Sequence, residues 1–346
     1  MTHRGPEEES RVGSCVGNFS FHSTTEGLCV QQVSYFLGQV VSFFLTLARL
    51  IPLRVHNEFD GKSIPQSGPV TISVTTHGPR VNKVWYTLES LARGTVSAPI
   101  VLWLDKEDYE RPLPERLQRL VDRGLQIRCS DGSFGPHTKY WPLFRERVAS
   151  ARERVAHDPD NATSARDSDV SDLASEDLLT LRVATADDDI IYPEWWLERL
   201  LECADVSPHD VIAYRAHRVC VKKGALAPYA RWPAVKSCRA SIANMATGVS
   251  GVLYPLPFMA FVVDQGDSFR RLAPKADDIW LHACAVRSGT KVRQVFGQQR
   301  NFAVVPTTQF NAALVVRNVW MGGNDVQASR VYTDDDIAAL KQASAF

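Results

Sequence analysis

The alternation of short apolar runs with helix-patterned segments constrains the fold of this chain more than any other feature of its sequence. Four runs are rich in aliphatic and β-branched residues, as buried strands are: Val70–Thr76, Pro99–Leu104, Leu125–Cys129 and Leu181–Thr185. Between the first two runs, Val81–Arg93 has its apolar residues at helical spacing. Strands that alternate with helices form parallel sheets with right-handed crossovers. We therefore expect an α/β domain with a Rossmann-like, mostly parallel sheet flanked by helices.

Each of these predicted strands runs into polar residues, and the fourth ends in Asp187, Asp188 and Asp189. The carboxyl ends of parallel strands share one edge of the sheet, where ligands bind in open α/β folds. Alternate residues of an extended segment project to the same side. Asp187 and Asp189 could therefore share one hard cation, Mg²⁺ or Mn²⁺. The alternative is a polar turn whose acids face water or cap the next helix, which we expect to begin at Pro193.

The charge balance and the cysteine pattern indicate which kinds of partner and which cellular compartment suit this chain. The 346 residues carry a formal net charge of zero, which gives no broad basic surface for a nucleic-acid partner. The seven cysteines are scattered, odd in number and without a Cys-x-x-Cys pair. This pattern indicates reduced thiols and a cytoplasmic location rather than a disulfide framework.

The first sixty residues differ from the rest of the chain. Met1–Glu26 is polar, whereas Gly27–Ala48 contains no charged residue. Two interpretations of this uncharged run stay open: a helix that spans or lies on a membrane, and a helix that packs against protein. If the run spans a membrane, Arg49 and Arg54 after it predict that the main domain lies in the cytoplasm, at the inner face of the cell membrane.

These contrasts divide the sequence into two regions. We assign residues 1–60 to an amino-terminal tail with the uncharged helix, and residues 61–346 to the globular domain. Within that domain, residues 156–176 are small, polar and acidic, and we expect them to form a surface insertion.

Five sequence blocks carry a resemblance to a known family: Ala186–Pro193, Ala213–His217, Thr247–Pro255, Ala276–Trp280 and Gly323–Asp325. In this order they resemble bacterial glycosyltransferases of the A-type (GT-A) fold, in particular enzymes that build surface polysaccharides. The resemblance extends from about Val70 to the carboxyl-terminal helix. It implies a single domain of this fold with a short antiparallel portion on the acceptor side. It also implies a nucleotide-sugar donor held through Mn²⁺ or Mg²⁺, and a saccharide or lipid-linked saccharide as acceptor.

The resemblance assigns roles to individual acids. Asp187 matches the first acid of an Asp-x-Asp motif, which approaches the ribose, and Asp189 matches its last acid, the metal ligand. Asp188 lies between them, and a register shifted by one residue stays open. Asp278 matches the general base of inverting members, while Asp277 beside it is expected to be a helix N-cap.

Further residues match the substrate-binding parts of the family. Thr76 and Arg80 lie at the nucleoside-binding end of the sheet. Asp131 and Lys139 lie where such enzymes contact the base or the diphosphate.

The chemistry of sugar transfer independently requires groups of these kinds. Breaking a sugar–phosphate bond leaves negative charge on the diphosphate, which a metal ion and cations such as Lys139 and Arg215 neutralise. The acceptor hydroxyl needs a base within hydrogen-bond reach. Gly248 and Gly251 either form a turn or admit substrate to the backbone.

The sequence analysis thus predicts a metal-dependent, inverting glycosyltransferase. One alternative is a non-catalytic nucleotide-sugar- or carbohydrate-binding protein on the same fold. Another Mg²⁺-dependent phosphoryl-transfer or hydrolytic enzyme is disfavoured, because the sequence has no Gly-x-x-x-x-Gly-Lys-Ser/Thr loop.

Overall fold

A computed structural model describes residues 48–59, 62–157, 173, 176–306 and 323–343. All of them belong to one compact unit, Thr46–Phe346. The uncharged run up to residue 47 and most of the predicted acidic insertion lie outside the described residues, so the predictions for them stay predictions. Within the described ranges, no helix has both the length and the apolar character needed to cross a bilayer.

A seven-stranded sheet forms the centre of the domain and confirms the predicted fold class. Its strand order is β12-β6-β11-β4-β1-β2-β3, and only β11 runs antiparallel to its neighbours. The strands of the chain are β1 (Val70–Thr75), β2 (Ile100–Leu104), β3 (Gln126–Cys129), β4 (Arg182–Ala186), β5 (Ile190–Ile191), β6 (Val211–Ala213), β7 (Ala216–Arg218), β8 (Val221–Lys222), β9 (Ala225–Leu226), β10 (Asn244–Ala246), β11 (Val252–Pro255), β12 (Val292–Gln294) and β13 (Ala303–Val304).

Helices cover both faces of this sheet. They are α1 (residues 48–59), α2 (Val84–Ala92), α3 (Lys106–Tyr109), α4 (Glu115–Asp122), α5 (Trp141–Ala156), α6 (Glu176–Leu179), α7 (Trp196–Asp205), α8 (Leu256–Asp264), α9 (Phe269–Leu272), α10 (Asp277–Ser288), α11 (Gly323–Val331) and α12 (Asp334–Ala343). Short 3₁₀ helices lie at Gly78–Asn82, Gly135–Lys139 and Tyr229–Arg231.

Strand β2 shows why the core has two halves. All five of its residues are buried, as expected for a parallel strand with helices on both faces. Ile100, Leu102 and Leu104 join one apolar cluster with α2, α4 and α7. Val101 and Trp103 join the other with α5, α8 and α10. The two-residue period of the strand thus divides its side chains between the two helical layers.

One predicted element differs from the structure, and one strand-like run is broken up. Pro193 does not begin a helix: Ile190–Ile191 pair with β13, and a turn closed by the Trp196 N–H on the Pro193 carbonyl delays α7 to Trp196. The β-branched and apolar run Val211–Val221 is divided among β6, β7 and β8. Here pairing with distant strands overrides the local pattern of the sequence.

Gly251 is required by the turn that leads into β11. Its φ angle is +99°, and a Cβ atom there would lie 2.4 Å from Cζ2 of the buried Trp196 ring. That ring is itself fixed, because Trp196 Nε1 donates a 2.8 Å hydrogen bond to the Ser250 carbonyl. The ring therefore has little freedom to move away from an added methyl group.

We predict that Gly251→Ala lowers the free energy of unfolding by about 3 kcal/mol, through backbone strain together with overpacking. Gly266→Ala is the matched control, because Gly266 also has a positive φ (+66°) but no atom within 4 Å of its added Cβ. We expect the control to lose about 1 kcal/mol. Urea unfolding measures both variants, and equal losses would contradict the packing role of Gly251.

Candidate active site

The three consecutive acids follow β4 at the carboxyl edge of the sheet, as predicted, and the neighbouring β1 supplies their partners. Thr76 Oγ1 donates a 2.5 Å hydrogen bond to Asp188 Oδ2. The Arg80 guanidinium forms ion pairs with Asp188 and with Asp189, the latter at 2.9 Å. Because β1 and β4 are adjacent and parallel, their ends meet at one place. Thr76 and Arg80 therefore lie in the acid cluster.

Two more acids approach from the first turn of α10. Asp278 Oδ1 accepts a 2.9 Å hydrogen bond from the Gly248 N–H. The predicted N-cap role of Asp277 is wrong: Ala276 occupies the N-cap position, and no side chain caps the helix. Asp277 is the first residue of the helix, and its carboxylate is buried against Lys139 instead.

Lys139 joins the two groups of acids. Its Nζ atom lies 2.8 Å from Asp277 Oδ2 and 3.5 Å from Asp187 Oδ1. Gly248 makes room for this ammonium group, because a Cβ atom at Gly248 would lie 2.4 Å from Nζ. Gly248 therefore serves the site through its missing side chain and through its N–H, which binds Asp278.

A buried histidine holds the turn that carries Lys139. His137 Nε2 lies 2.7 Å from the Ala273 carbonyl and Nδ1 lies 2.7 Å from the Tyr140 hydroxyl. The carbonyl can only accept, so Nε2–H donates to it and Nδ1 accepts from Tyr140. Burial lowers the pKa of His137 to about 4, so the ring is neutral at pH 7. It also stacks on Phe269, with ring centroids 4.2 Å apart.

The shared ammonium group gives the two α10 acids opposite properties. Burial is the largest effect on Asp277 and opposes its ionisation, but the Lys139 charge, together with smaller electrostatic and hydrogen-bond effects, lowers the pKa of Asp277. Burial and the neighbouring Asp277 raise the pKa of Asp278 to about 7. Burial also disfavours the charged form of Lys139, yet Asp277, Asp187 and Asp278 raise its pKa well above the usual value. At neutral pH, Asp277 and Lys139 are a fixed ion pair, and Asp278 is poised to exchange a proton.

Two acids of the triplet also have raised pKa values. Burial raises the pKa of Asp188 to about 6, although Arg80 and Thr76 oppose the shift. Burial also raises the pKa of Asp189, against the effect of Arg80. The neighbouring cation and hydrogen-bond donor therefore do not fully offset the cost of burying the negative charges of Asp188 and Asp189.

Arg215 is the third cation whose charge acts on the cluster, and it interacts with Asp278 and Asp187. Its Nε atom is buried and has no hydrogen-bond partner in the described part of the chain. A buried hydrogen-bond donor that has no partner lowers the stability of the folded protein, because it has lost its hydrogen bond to water. Arg215 thus has a buried donor that no described residue satisfies, and its predicted role in substrate binding stays a prediction.

The chemistry of the cluster fits a divalent cation. Five aspartates face Arg80, Lys139 and Arg215, so carboxyl groups, whose hard oxygen atoms suit Mg²⁺ and Mn²⁺, outnumber the cations by two. In the described ranges, no three or more His, Cys, Asp or Glu side chains form a ready-made metal site. Asp187 and Asp189 would therefore supply part of a coordination sphere that water and substrate oxygens complete.

Two residues predicted to bind substrate, Asp131 and Gly251, have contacts of another kind. Asp131 follows β3, three strands from β4, and at about 4.8 Å per strand it is roughly 14 Å away laterally. Its exposed carboxylate pairs with Arg145 at 2.8 Å. The space beside the Gly251 Cα is filled by Trp196. The contacts of the described residues thus give Asp131 a surface ion pair and Gly251 a packing role, and their roles in substrate binding stay predictions.

The sequence analysis missed several residues that shape the site. His137 and Tyr140 support Lys139, and Tyr192 accepts a 2.9 Å hydrogen bond from the Asp187 N–H. Tyr229 lies near Asp278, whose charge is one cause of its raised pKa. The only local sign of these residues in the sequence is that His137 lies two residues before Lys139, in a turn that begins with Gly-Pro. The other contacts join distant parts of the chain and have no local sequence pattern.

Comparisons with known proteins give limited similarity. No protein-family model and no curated protein sequence matches the chain. Among solved structures, S. aureus TarS 1–349 in complex with UDP is 12% identical with a TM-score of 0.38, over 67% of this chain and 59% of that chain. The same protein in complex with UDP-GlcNAc is 13% identical with a TM-score of 0.37, over 67% of this chain and 57% of that chain.

A third similar structure is 4-diphosphocytidyl-2C-methyl-D-erythritol synthase, at 14% identity and a TM-score of 0.34, over 71% of this chain and 96% of that chain.

We predict that Lys139→Met lowers the free energy of unfolding by about 3–5 kcal/mol at pH 8, because it leaves buried carboxylates without their cation. Asp277 then loses the charge that lowers its pKa, and burial raises the folded-state pKa above the unfolded value. The loss should therefore shrink as the pH falls through that raised pKa, since a protonated acid needs no partner.

Lys236→Met, at an exposed lysine, is the control and should change stability by less than about 0.5 kcal/mol. Urea midpoints between pH 5 and pH 8 measure the effect. A loss in Lys139→Met that is independent of pH would contradict the ion-pair account.

Proposed function

We propose that this protein is a metal-dependent, inverting glycosyltransferase that moves a sugar from a nucleotide-sugar donor to a hydroxyl group of a saccharide or lipid-linked saccharide. The observation that carries the proposal is the division of the acids around Lys139. On one side is the triplet at the carboxyl edge of the sheet, and on the other is a proton-exchanging Asp278. In this arrangement, the triplet would bind the diphosphate of the donor, and Asp278 would lie beside the acceptor hydroxyl.

The exposure of the triplet supports Asp187 and Asp189 as the metal ligands. Their side chains are 25% and 24% exposed, whereas Asp188 is 7% exposed. Asp188 also already accepts hydrogen bonds from Thr76 and Arg80. When bound, Mn²⁺ or Mg²⁺ would stabilise the charge that develops on the leaving diphosphate. Of the three acids, the outer two are therefore the more accessible to that ion.

Fixed cations of the chain supply the remaining compensation. Arg80 lies beside Asp188 and Asp189, and the charge of Arg215 acts on Asp278 and Asp187. Both can donate to phosphate oxygens, and fixed donors of this kind stabilise developing charge without reorganising during the reaction. Lys139 is held by Asp277, so we assign it the role of keeping the two halves of the site together.

Asp278 is the proposed general base. As the acceptor hydroxyl attacks the anomeric carbon, a new C–O bond forms and the hydroxyl proton passes to the Asp278 carboxylate. The bond between the anomeric carbon and the diphosphate oxygen breaks, and its electron pair leaves with the nucleoside diphosphate. A single displacement of this kind inverts the anomeric centre. The Gly248 N–H orients the carboxylate throughout.

The donor end can be tested by ligand binding. We predict that nucleoside diphosphates bind more tightly with Mn²⁺ than without it, and that Asp189→Asn removes this difference because a metal ligand is lost. Asp335→Asn, at an exposed helix position, is the control and should keep it. A thermal-shift screen over the common nucleotides selects the ligand, since 100 times its dissociation constant stabilises by about 2.7 kcal/mol. Equal affinity in both proteins with and without Mn²⁺ would contradict the metal site.

The acceptor end can be tested by the pH dependence of turnover. A base acts when it is deprotonated, so the turnover rate should rise with pH and reach half its maximum near pH 7, where Asp278 ionises. Asp278→Asn should lower the rate about 10²- to 10⁴-fold with donor affinity nearly unchanged.

Asp277→Asn is the matched comparison. It removes the main partner of Lys139, so it should lower the melting temperature more than Asp278→Asn does. Near-normal turnover in Asp278→Asn would place the base elsewhere. A wild-type protein that binds donor but neither transfers nor hydrolyses it would be a non-catalytic nucleotide-sugar-binding protein.

A further inference from the structure

Residues 215–247, between β6 and β11, concentrate positive charge in a chain whose formal net charge is zero. We call them the basic segment, because they include seven lysines and arginines and no aspartate or glutamate. The seven cations are Arg215, Arg218, Lys222, Lys223, Arg231, Lys236 and Arg239. The neutral total therefore conceals an uneven distribution of charge, which indicates a local anionic partner rather than a basic protein.

The basic segment begins and ends beside the proposed general base. The Thr247 N–H donates a 3.0 Å hydrogen bond to the Arg215 carbonyl, which joins the two ends of the segment. The next N–H along the chain, that of Gly248, donates to Asp278 Oδ1 at 2.9 Å. The backbone of Arg215 is therefore fixed next to the turn that holds Asp278.

The basic segment is folded onto the domain. Its strand β7 pairs with β10 on one side, and on the other side the Arg218 N–H donates to the Pro233 carbonyl at 2.8 Å. Strands β8 and β9 form a hairpin whose turn is Lys223 and Gly224, both with positive φ. Val219 is buried in the same apolar cluster as α10. The segment therefore presents its cations from a fixed backbone.

Four cations of the basic segment are exposed and form no ion pair with any described residue. They are Lys222, Lys223, Arg231 and Lys236. Arg231 lies two residues after Tyr229, whose hydroxyl feels the charge of Asp278. The exposed cations thus begin close to the acceptor end of the candidate active site.

The acids on the neighbouring helices do not neutralise these cations. Asp325 of α11 accepts a 2.6 Å hydrogen bond from the Tyr229 N–H. Helix α12 meets the segment at its carboxyl-terminal end, where the Ala343 carbonyl accepts from Arg218. The exposed acid Asp334 begins that helix, about 14 Å along its axis from Ala343.

We propose that the acceptor is an acidic saccharide, one that carries phosphate or carboxylate groups, and that it binds along the basic segment with one hydroxyl group at Asp278. This inference rests on the proposed glycosyltransferase function and names the chemical class of its acceptor. The reacting hydroxyl must come within hydrogen-bond reach of the base. The acidic groups beyond it would then lie against the exposed cations, and such charge complementarity selects against neutral chains.

Nucleic acid and anionic lipid carry the same kind of charge, and both are outcomes of the test. The joining of the segment's two ends beside Asp278 favours the acceptor over them, because a ligand bound there has its near end at the base. The acidic insertion predicted at residues 156–176 is a source of negative charge within the chain itself, and the melting temperature tests it.

The test is equilibrium binding of rhodamine-labelled dextrans of one length to the full-length protein: dextran phosphate, carboxymethyl-dextran and neutral dextran. The wild type should bind at least one of the two acidic dextrans about tenfold more tightly than the neutral one. Added NaCl should remove this preference, since salt screens exposed charges. The acidic dextran that binds more tightly identifies the acidic group of the acceptor.

The triple variant Lys222→Gln/Lys223→Gln/Arg231→Gln should lose about tenfold in affinity for that acidic dextran, because three exposed charge contacts are removed. Its melting temperature should stay close to that of the wild type. Arg215→Gln should lose about threefold or more, because Arg215 lies at the end of the segment beside Asp278.

The matched control removes three exposed cations from other parts of the domain. It is Lys106→Gln/Arg111→Gln/Arg199→Gln, with the changes in α3, just after α3 and in α7. This control has the same net charge as the first triple variant. It should bind acidic dextran within about twofold of the wild type.

Several results would overturn the proposal. One is equal affinity for acidic and neutral dextran, and another is an equal loss in both triple variants. Wild-type affinity in Arg215→Gln, with a loss in the first triple variant, would place the anion away from Asp278. A DNA oligonucleotide or a phosphatidylglycerol vesicle that binds more tightly than acidic dextran would identify another partner. A fall of more than about 5 °C in the melting temperature of the first triple variant would show that the chain itself satisfies these cations.

The proposed function fails or succeeds separately. Nucleoside-diphosphate binding with Mn²⁺ tests the donor end and does not involve the exposed cations of the basic segment. A protein that binds nucleoside diphosphate but shows no preference for acidic dextran would overturn the acceptor class alone. A protein that binds acidic dextran but no nucleoside diphosphate would overturn the glycosyltransferase, and with it the assignment of the saccharide as an acceptor.

Discussion

The ammonium group of Lys139 is the contact on which the candidate active site depends. It lies between Asp187, after β4, and Asp277, at the start of α10, and these residues are far apart in the sequence. Removing one partner of a buried ion pair costs more than the pair contributes, because the other charge is left without compensation. The neutral ring of His137 fixes the turn that presents Lys139. The relative position of the two acidic groups thus follows from one buried cation and its support.

The topology of the sheet brings the other parts of the site to the same edge. Strands β1 and β4 are adjacent and parallel, so Thr76 meets Asp188 where both strands end. Strand β11 runs antiparallel to β4, with Val252 opposite Thr185, so its amino-terminal end lies at that same edge. The turn before β11 therefore delivers the Gly248 N–H to Asp278. A single reversed strand in a parallel sheet is what brings the Asp278 carboxylate to the edge that carries the acidic triplet.

The sequence was informative where the structure follows local patterns. Buried strands and helices with one apolar face have distinct periods, so the first four strands of the sheet and their edge of acids could be predicted. Contacts between distant residues have no such signal. The pairing of Asp277 with Lys139 replaced the predicted cap, and the pairing of Ile190–Ile191 with β13 delayed the helix expected at Pro193. In both cases the local sequence allows two conformations of similar energy, and a contact with a distant residue determines which one forms.

The contacts of Arg80 explain how an acid-rich site can fold before it binds a ligand. Its guanidinium joins both Asp188 and Asp189, so it compensates two carboxylates that would otherwise repel each other. Asp188 also accepts a hydrogen bond from Thr76. Asp189 is more exposed, and its ion pair with Arg80 is longer than that of Asp188. A cation on Asp189, as we propose, would compete with Arg80 there and leave the Asp188 pair intact. Arg80 would then keep one carboxylate and gain a free donor facing the same space as the cation, where a phosphate oxygen could accept it.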